Sequence, residues 1–444
     1  MRKLRGLLEV EVDDAPIERF RLLVDDQTSA QLTGTMARLV VAMRGRKIWN
    51  VNSTARGGGV AEMLAALIPY SRGCGVDERW VVIDGSPEFF EVTKTLHNLL
   101  HGVKAEGASL SDEDRRRYAQ AAAENAAALL DHASPGDVAI LHDPQTAGLA
   151  PPLRERGVRV VWRSHVGVDV PNDAVREAWD FLLTFVRNAD TVVFSRRAYV
   201  WEGLEQVRVE VIPPCIDPFA AKNRDLEQHE VQRILQEACI ELPRRFVLQV
   251  SRWDRLKDPA GVMQAFARHV APRVDAHLVL AGPETTSVTD DPEQQEVLGE
   301  VMRVRESLQA PVRDRVVVSQ LPMDDVERNA LMVNALQRRA AVVVQKSLAE
   351  GFGLTVAEAM WKAKPVVASR VGGIGDQIEH RRSGLLVDDP TDLTAFGDAV
   401  VDLLTNEAMA RSCGEEARRR VGGWYITPCH LIAQGALLLD LVSH

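Results

Sequence analysis

Short apolar runs alternate along this chain with stretches of helical periodicity, first over one half and then over the other. In the first half, residues 47–52, 80–84, 138–143, 158–162 and 191–194 read as strands; in the second, residues 246–250, 277–281, 316–319, 341–344 and 365–368 do. Most are apolar at consecutive positions, the pattern of strands covered by helices on both faces. Helical stretches such as the alanine-rich 121–130, 261–269 and 356–362 fall between them. This order predicts an α/β protein with parallel sheets. At 444 residues the chain is longer than one core usually organises, so two domains are expected. Residues 211–218 carry Pro213, Pro214 and Pro218, a stiffened passage that suits a hinge. The reading places a first domain over 1–213, a second over 214–423, and a last helix over 424–444 that packs back on the first. The apolar run 431–442 equally suits a homodimer contact, and patterning does not choose.

Chemistry gathers in the loops at the predicted strand ends. Glu350-Gly351-Phe352-Gly353-Leu354-Thr355-Val356-Ala357-Glu358 sets two glutamates about a glycine turn that opens into a helix. Gly351 and Gly353 allow a sharp turn and close approach to a ligand, and the helix start, from Leu354 and Thr355, offers N–H groups to an anion. Phe352 lies between the glycines. Glu350 is suited to sugar hydroxyls and Glu358 to a ribose diol. In a second loop, Ser251 to Pro259, Arg252 and Lys257 follow a strand end, where two cations can clamp a diphosphate. Each loop alone is ordinary; together they ask for one phosphate-rich ligand. Ser319 and Leu321, at another strand end, suit a ribose and base.

The first half contributes a second group. After Asn52 the chain runs through Gly57-Gly58-Gly59 into a helix, with neither the lysine of a P-loop nor the spacing of a dinucleotide fingerprint. Gly58 and Gly59 leave backbone N–H groups unscreened. His142-Asp143-Pro144-Gln145 and the segment around His165 each end a predicted strand. A carboxylate and an amide, Asp143 and Gln145, are the donors and acceptors a polyol acceptor needs, and Asn52 and His142 stand beside them.

These strings resemble the retaining glycosyltransferases of the GT-B fold, and among them the trehalose glycosyltransferring synthases and the related retaining trehalose phosphorylases. The likeness runs from about Lys47 to Gly384. It implies two Rossmann-like domains with parallel sheets facing across a cleft, the first binding acceptor and the second a nucleotide sugar, with closure about residues 212–218. By that likeness Arg252 and Lys257 hold the donor diphosphate, Glu350 faces the donor sugar, Glu358 holds the ribose, His165 bonds a donor hydroxyl, and the triple-glycine loop closes over the phosphates and the acceptor. The implied reaction moves glucose from a nucleoside diphosphate glucose, UDP- or ADP-glucose, to glucose, forming trehalose reversibly; a phosphorylase would use phosphate and glucose 1-phosphate instead. A non-catalytic sugar-nucleotide sensor on the same scaffold would need fewer charges.

Composition narrows the partners. With 53 basic and 63 acidic residues the net charge is −10, a bulk field that repels nucleic acid. No apolar run is long enough to span a bilayer, and the N-terminus does not read as a signal peptide. Five scattered cysteines, Cys74, Cys215, Cys239, Cys413 and Cys429, suggest a reducing, cytoplasmic setting and no zinc site. No ligand set for a metal stands out, so no cofactor is required and Mg2+ would act only through the nucleotide diphosphate.

Overall fold

Strands buried on both faces organise each half. The structure, a computed structural model, describes residues 1–4, 6–56, 58–104, 109–238, 240, 242–285 and 292–443. Gly57 of the glycine turn and Cys239 lie outside the described residues. The chain divides into two units, Met1–Cys215 with Ile426–His444, and Ile216–Tyr425.

In the first unit, strands β1 (Arg2–Leu4), β2 (Leu7–Val10), β3 (Ile48–Asn52), β4 (Glu78–Ile83), β5 (Val138–His142), β6 (Arg159–Ser164), β7 (Thr191–Phe194) and β8 (Arg208–Val211) form one sheet in the order β1-β2-β4-β3-β5-β6-β7-β8. From β4 to β8 every pairing is parallel, whereas β1 and β2 join antiparallel at one edge. Trp49, Leu141, Trp162 and Phe194 anchor its core. Helices start where short polar side chains can accept their free N–H groups: Ser86 caps Pro87–Leu100, Ser111 and Asp114 form a capping box on Asp112–Leu130, and Asn172 caps Asp173–Val186. The last helix, Thr427–Ser443, packs on the helices Asp26–Ala42 and Gly59–Gly73, burying Leu431, Leu437, Leu438 and Leu441. The apolar run 431–442 is thus covered largely by its own chain.

The second unit is parallel throughout. Strands β9 (Phe246–Val250), β10 (His277–Pro283), β11 (Val316–Leu321), β12 (Val342–Gln345), β13 (Val366–Ser369) and β14 (Leu385–Val387) lie in the order β11-β10-β9-β12-β13-β14. The chain order jumps outward from β9 to both sides, so the loops after β9 and β12 are neighbours at the carboxyl edge, the usual ligand position of such sheets. Among the described residues no helix is long and apolar enough to cross a membrane.

Candidate functional site

In the second unit, the loop after β9 is fixed before it presents any charge. Trp253, 1% exposed, donates its indole N–H to Pro283 O at 2.8 Å. Asp254 Oδ1 accepts from Leu256 N, and Gln249 Nε2 donates to Lys257 O at 2.8 Å. Leu348 N then bonds Leu256 O at 2.7 Å, tying this loop to the one after β12. Across that tie Lys257 Nζ donates to Glu350 Oε2 at 2.5 Å. Beneath them the buried ammonium of Lys346 is paired with Asp258, which itself caps the helix Pro259–Ala265.

The glycine turn is held from the other side. Gly353 has φ +87°, and a Cβ there would stand 2.8 Å from Ile374 Cγ1, so glycine is demanded both by the backbone and by the packing. Gln377 Nε2 donates to Phe352 O at 2.6 Å and Gly373 N to Gly351 O at 3.0 Å. From this turn the helix Leu354–Trp361 begins, with Leu354 and Thr355 in its first turn, where N–H groups have no intrahelical acceptor. One helical turn in, Glu358 is 4% exposed, and its carboxylate meets Lys222 Nζ at 3.6 Å. Lys362, buried beside it, donates to Glu358 O and Asn223 Oδ1; burial pulls this lysine down to about 7, with Glu358 opposing the shift. Arg252 is placed differently from Lys257: its side chain is 66% exposed and meets Asp254 Oδ2 at 3.4 Å. Ser319 and Leu321 lie in β11, half-buried and buried.

In the first unit, His142 ends β5 and His165 follows β6. Their rings stack with centroids 5.3 Å apart, and His142 Nδ1 faces His165 Nε2 at 3.0 Å. Asp143 adopts φ +64°, and its Oδ1 accepts from His165 N at 2.7 Å, while Trp162 Nε1 donates to its carbonyl. Burial pushes the Asp143 carboxyl up to about 7 and His142 down to about 3; burial and the adjacent Arg163 guanidinium hold His165 well below the usual imidazole range. Arg163, pulled by burial to about 10, spans Ile212 O at 3.0 Å and His430 Nε2 at 2.9 Å. Asn52 Nδ2 bonds Thr54 O, and its Oδ1 accepts from Trp80 Nε1, so it shapes the start of the glycine loop. Gly58 has φ +83° and leads Gly59 into the helix Gly59–Gly73. Gln145 is half-buried just past Asp143.

The structure therefore brings Lys257, Glu350 and the glycine turn together in one unit, and His142, Asp143 and His165 together in the other. Sequence reasoning missed Lys222, Lys362, Arg163, His430, Asn50 and Glu78. None belongs to a local motif; Arg163 and His430 are 267 positions apart, and only the fold makes them neighbours.

Residues 50–201 match the family described as trehalose synthase, N-terminal domain, and residues 232–420 match glycosyl transferases group 1. A trehalose synthase of Rubrobacter xylanophilus is 36% identical over 406 residues, covering 90% of this chain and 91% of that one. A trehalose phosphorylase of Pleurotus pulmonarius is 30% identical over 412 residues, covering 84% of this chain and 54% of its own. Among solved structures, the alpha,alpha-trehalose-phosphate synthase (UDP-forming) of Burkholderia vietnamiensis superposes with a TM-score of 0.70 at 19% identity, over 90% of this chain and 99% of that chain. That likeness is one of fold, the GT-B fold.

Proposed function

This chain belongs to the trehalose synthases, glycosyltransferases of trehalose metabolism, and from that premise we propose that it transfers glucose, with retention, from UDP- or ADP-glucose to free glucose, forming trehalose reversibly. The observation that supports this most directly is the Lys257 ammonium against Glu350 Oε2 at the mouth of the glycine turn. A cation, a carboxylate and free helix N–H groups at one turn are what a sugar joined to a diphosphate requires.

In this reading Lys257, Arg252 and the N–H groups of Leu354 and Thr355 stabilise the phosphate as the bond from C1 to its oxygen breaks. The acceptor hydroxyl attacks C1 from the face the phosphate leaves, and the leaving oxygen takes the acceptor's proton, so no side-chain base is needed. Glu350 and His165 orient the donor sugar. Gly58, Gly59 and Asn52 shape the loop that closes over it, His142, Asp143 and Gln145 hold the acceptor, and Glu358, Ser319 and Leu321 serve the nucleoside. Lys222 places an ammonium 3.6 Å from the Glu358 carboxylate, beside the ribose diol in this reading. The enzyme is read as cytoplasmic, with magnesium entering only on the nucleotide.

The 30% identity to a phosphorylase favours a second reading, in which phosphate replaces the nucleotide. Incubation with several nucleoside diphosphate glucoses and free glucose, followed by chromatography, distinguishes the two. Trehalose with stoichiometric nucleotide release supports the transferase. Phosphate-dependent cleavage of trehalose to glucose 1-phosphate, without nucleotide, would reverse the assignment.

A further inference from the structure

A line of buried polar side chains crosses one face of the first sheet and ends at His165. Ser71, on the helix Gly59–Gly73, is hydrogen-bonded to Glu78 Oε2, and Asn50 Nδ2 donates to Glu78 Oε1 at 2.7 Å. Asn50 Oδ1 faces His142 Nε2 at 3.2 Å, and His142 Nδ1 faces His165 Nε2 at 3.0 Å. Glu78, Asn50 and His142 are each at most 2% exposed. We propose that this line fixes His165 in the tautomer protonated at Nε2, so that Nδ1 accepts a hydrogen bond from a sugar hydroxyl, with Glu78 and Asn50 as its positioning residues. The sugar contact of His165 rests on the function proposed above; the tautomer does not.

Burial raises the Glu78 pKa, while Ser71 Oγ and Asn50 Nδ2 both donate to this carboxyl; Oε1 accepts from Asn50 when the group is ionised or carries its proton on Oε2, and a proton on Oε1 would reverse the amide and leave His165 protonated at Nδ1. With the amide reversed, Asn50 Oδ1 would stand 2.7 Å from a carboxylate oxygen. Asn50 Oδ1 therefore points at His142, and having no hydrogen it accepts one, which puts the His142 proton on Nε2. Burial and the Arg163 guanidinium keep both imidazoles neutral, and a neutral ring carries a single N–H. His142 Nδ1 is then bare, and the 3.0 Å contact is a bond donated by His165 Nε2. His165 is left with a bare Nδ1, to which nothing bonds among the described residues. His430 does not interfere, because its own ring is committed to Arg163 and to Pro213 O. A bare Nδ1 orients a sugar hydroxyl as donor; the opposite tautomer would orient it as acceptor.

The full-length protein labelled with 15N-histidine reports the ring tautomers directly in a two-bond 1H–15N correlation spectrum at neutral pH, with His165 assigned through His165→Asn. The wild-type spectrum should show His142 and His165 both protonated at Nε2. Glu78→Leu removes the acceptor that holds the Asn50 amide, so His165 should shift toward the Nδ1-protonated form and kcat for trehalose formation should fall about tenfold. Glu78→Gln keeps an oxygen for Asn50 Nδ2 and should restore both signals. A merely structural Glu78 would change stability without moving the tautomer. Wild-type His165 protonated at Nδ1, or an unchanged tautomer in Glu78→Leu, overturns the proposal, and the wild-type spectrum decides alone if that variant does not fold. The expected spectrum in a wild-type protein without transferase activity would support the tautomer and overturn the assigned reaction instead.

Discussion

Lys257→Ala removes an ammonium that a carboxylate meets at 2.5 Å and leaves Glu350, 13% exposed, without its cation. If that ammonium stabilises the departing phosphate, turnover should drop by about a hundredfold, the usual effect of losing one charge-stabilising donor. The helical circular-dichroism signal should be unchanged. Steady-state nucleotide release checks this, and a kcat within a few-fold of wild type would discard the clamp. Asp143 makes a prediction about pH. Its folded pKa of about 7 lies above the ordinary 3.8, so between these values the folded chain holds a proton that the unfolded chain has released. Its contribution to stability therefore falls as pH rises through that window, by about 1 kcal/mol per pH unit. His142, lowered to about 3 from 6.5, acts in the opposite sense, losing stability as pH falls below 6.5. Asp143→Asn tolerates the left-handed backbone and keeps an oxygen for His165 N. Its Tm relative to wild type should climb from pH 4 to pH 8; a difference independent of pH would show that the carboxyl is not held protonated.

Gly353→Ala tests whether the turn between the two glutamates needs its shape. A left-handed alanine costs about 1 to 2 kcal/mol, and Ile374, fully buried, cannot yield to a Cβ 2.8 Å away. The start of the helix Leu354–Trp361 should shift, with a lower Tm and weaker donor binding in calorimetry; both unchanged would mean the turn is permissive. This element was legible because glycine in a turn and a following helical period are local signals. The same holds for the ten strand runs read from the chain, which fall on β3 to β7 and β9 to β13. Strands β1, β2, β8 and β14 were not read. β1, β2 and β8 are three or four residues long and largely half-exposed, and β8 runs straight into the proline passage; β14 is buried but only three residues long, too short a run to stand out. At the site the same rule holds. Lys257 and Glu350 announce themselves through their loops, while Asn50, Glu78 and Arg163 look like ordinary strand positions until β3, β4, β5 and β6 are laid side by side.

The chain leaves the first unit once and comes back. Ile216 N bonds Tyr425 O at 2.9 Å, so the outgoing and returning segments touch. After that return, the helix Thr427–Ser443 finishes the first unit: Leu438 is 1% exposed, Thr427 bonds Ala66 O, and His430 completes the shell of Arg163. Leu438→Ala should cost about 2 to 4 kcal/mol through the cavity it leaves. The transition that responds should belong to the first unit, followed by hydrogen exchange of β5 and β6; protection lost only in β9 to β13 would contradict this placement. The arrangement also sets an order of events during translation. Residues 426–443 emerge from the ribosome only after the whole of the second unit, yet they close the portion that was synthesised before it. Until they appear, the helices Asp26–Ala42 and Gly59–Gly73 keep apolar faces open to water and Arg163 lacks its imidazole partner, while the second unit, contiguous in the nascent polypeptide, is already able to fold.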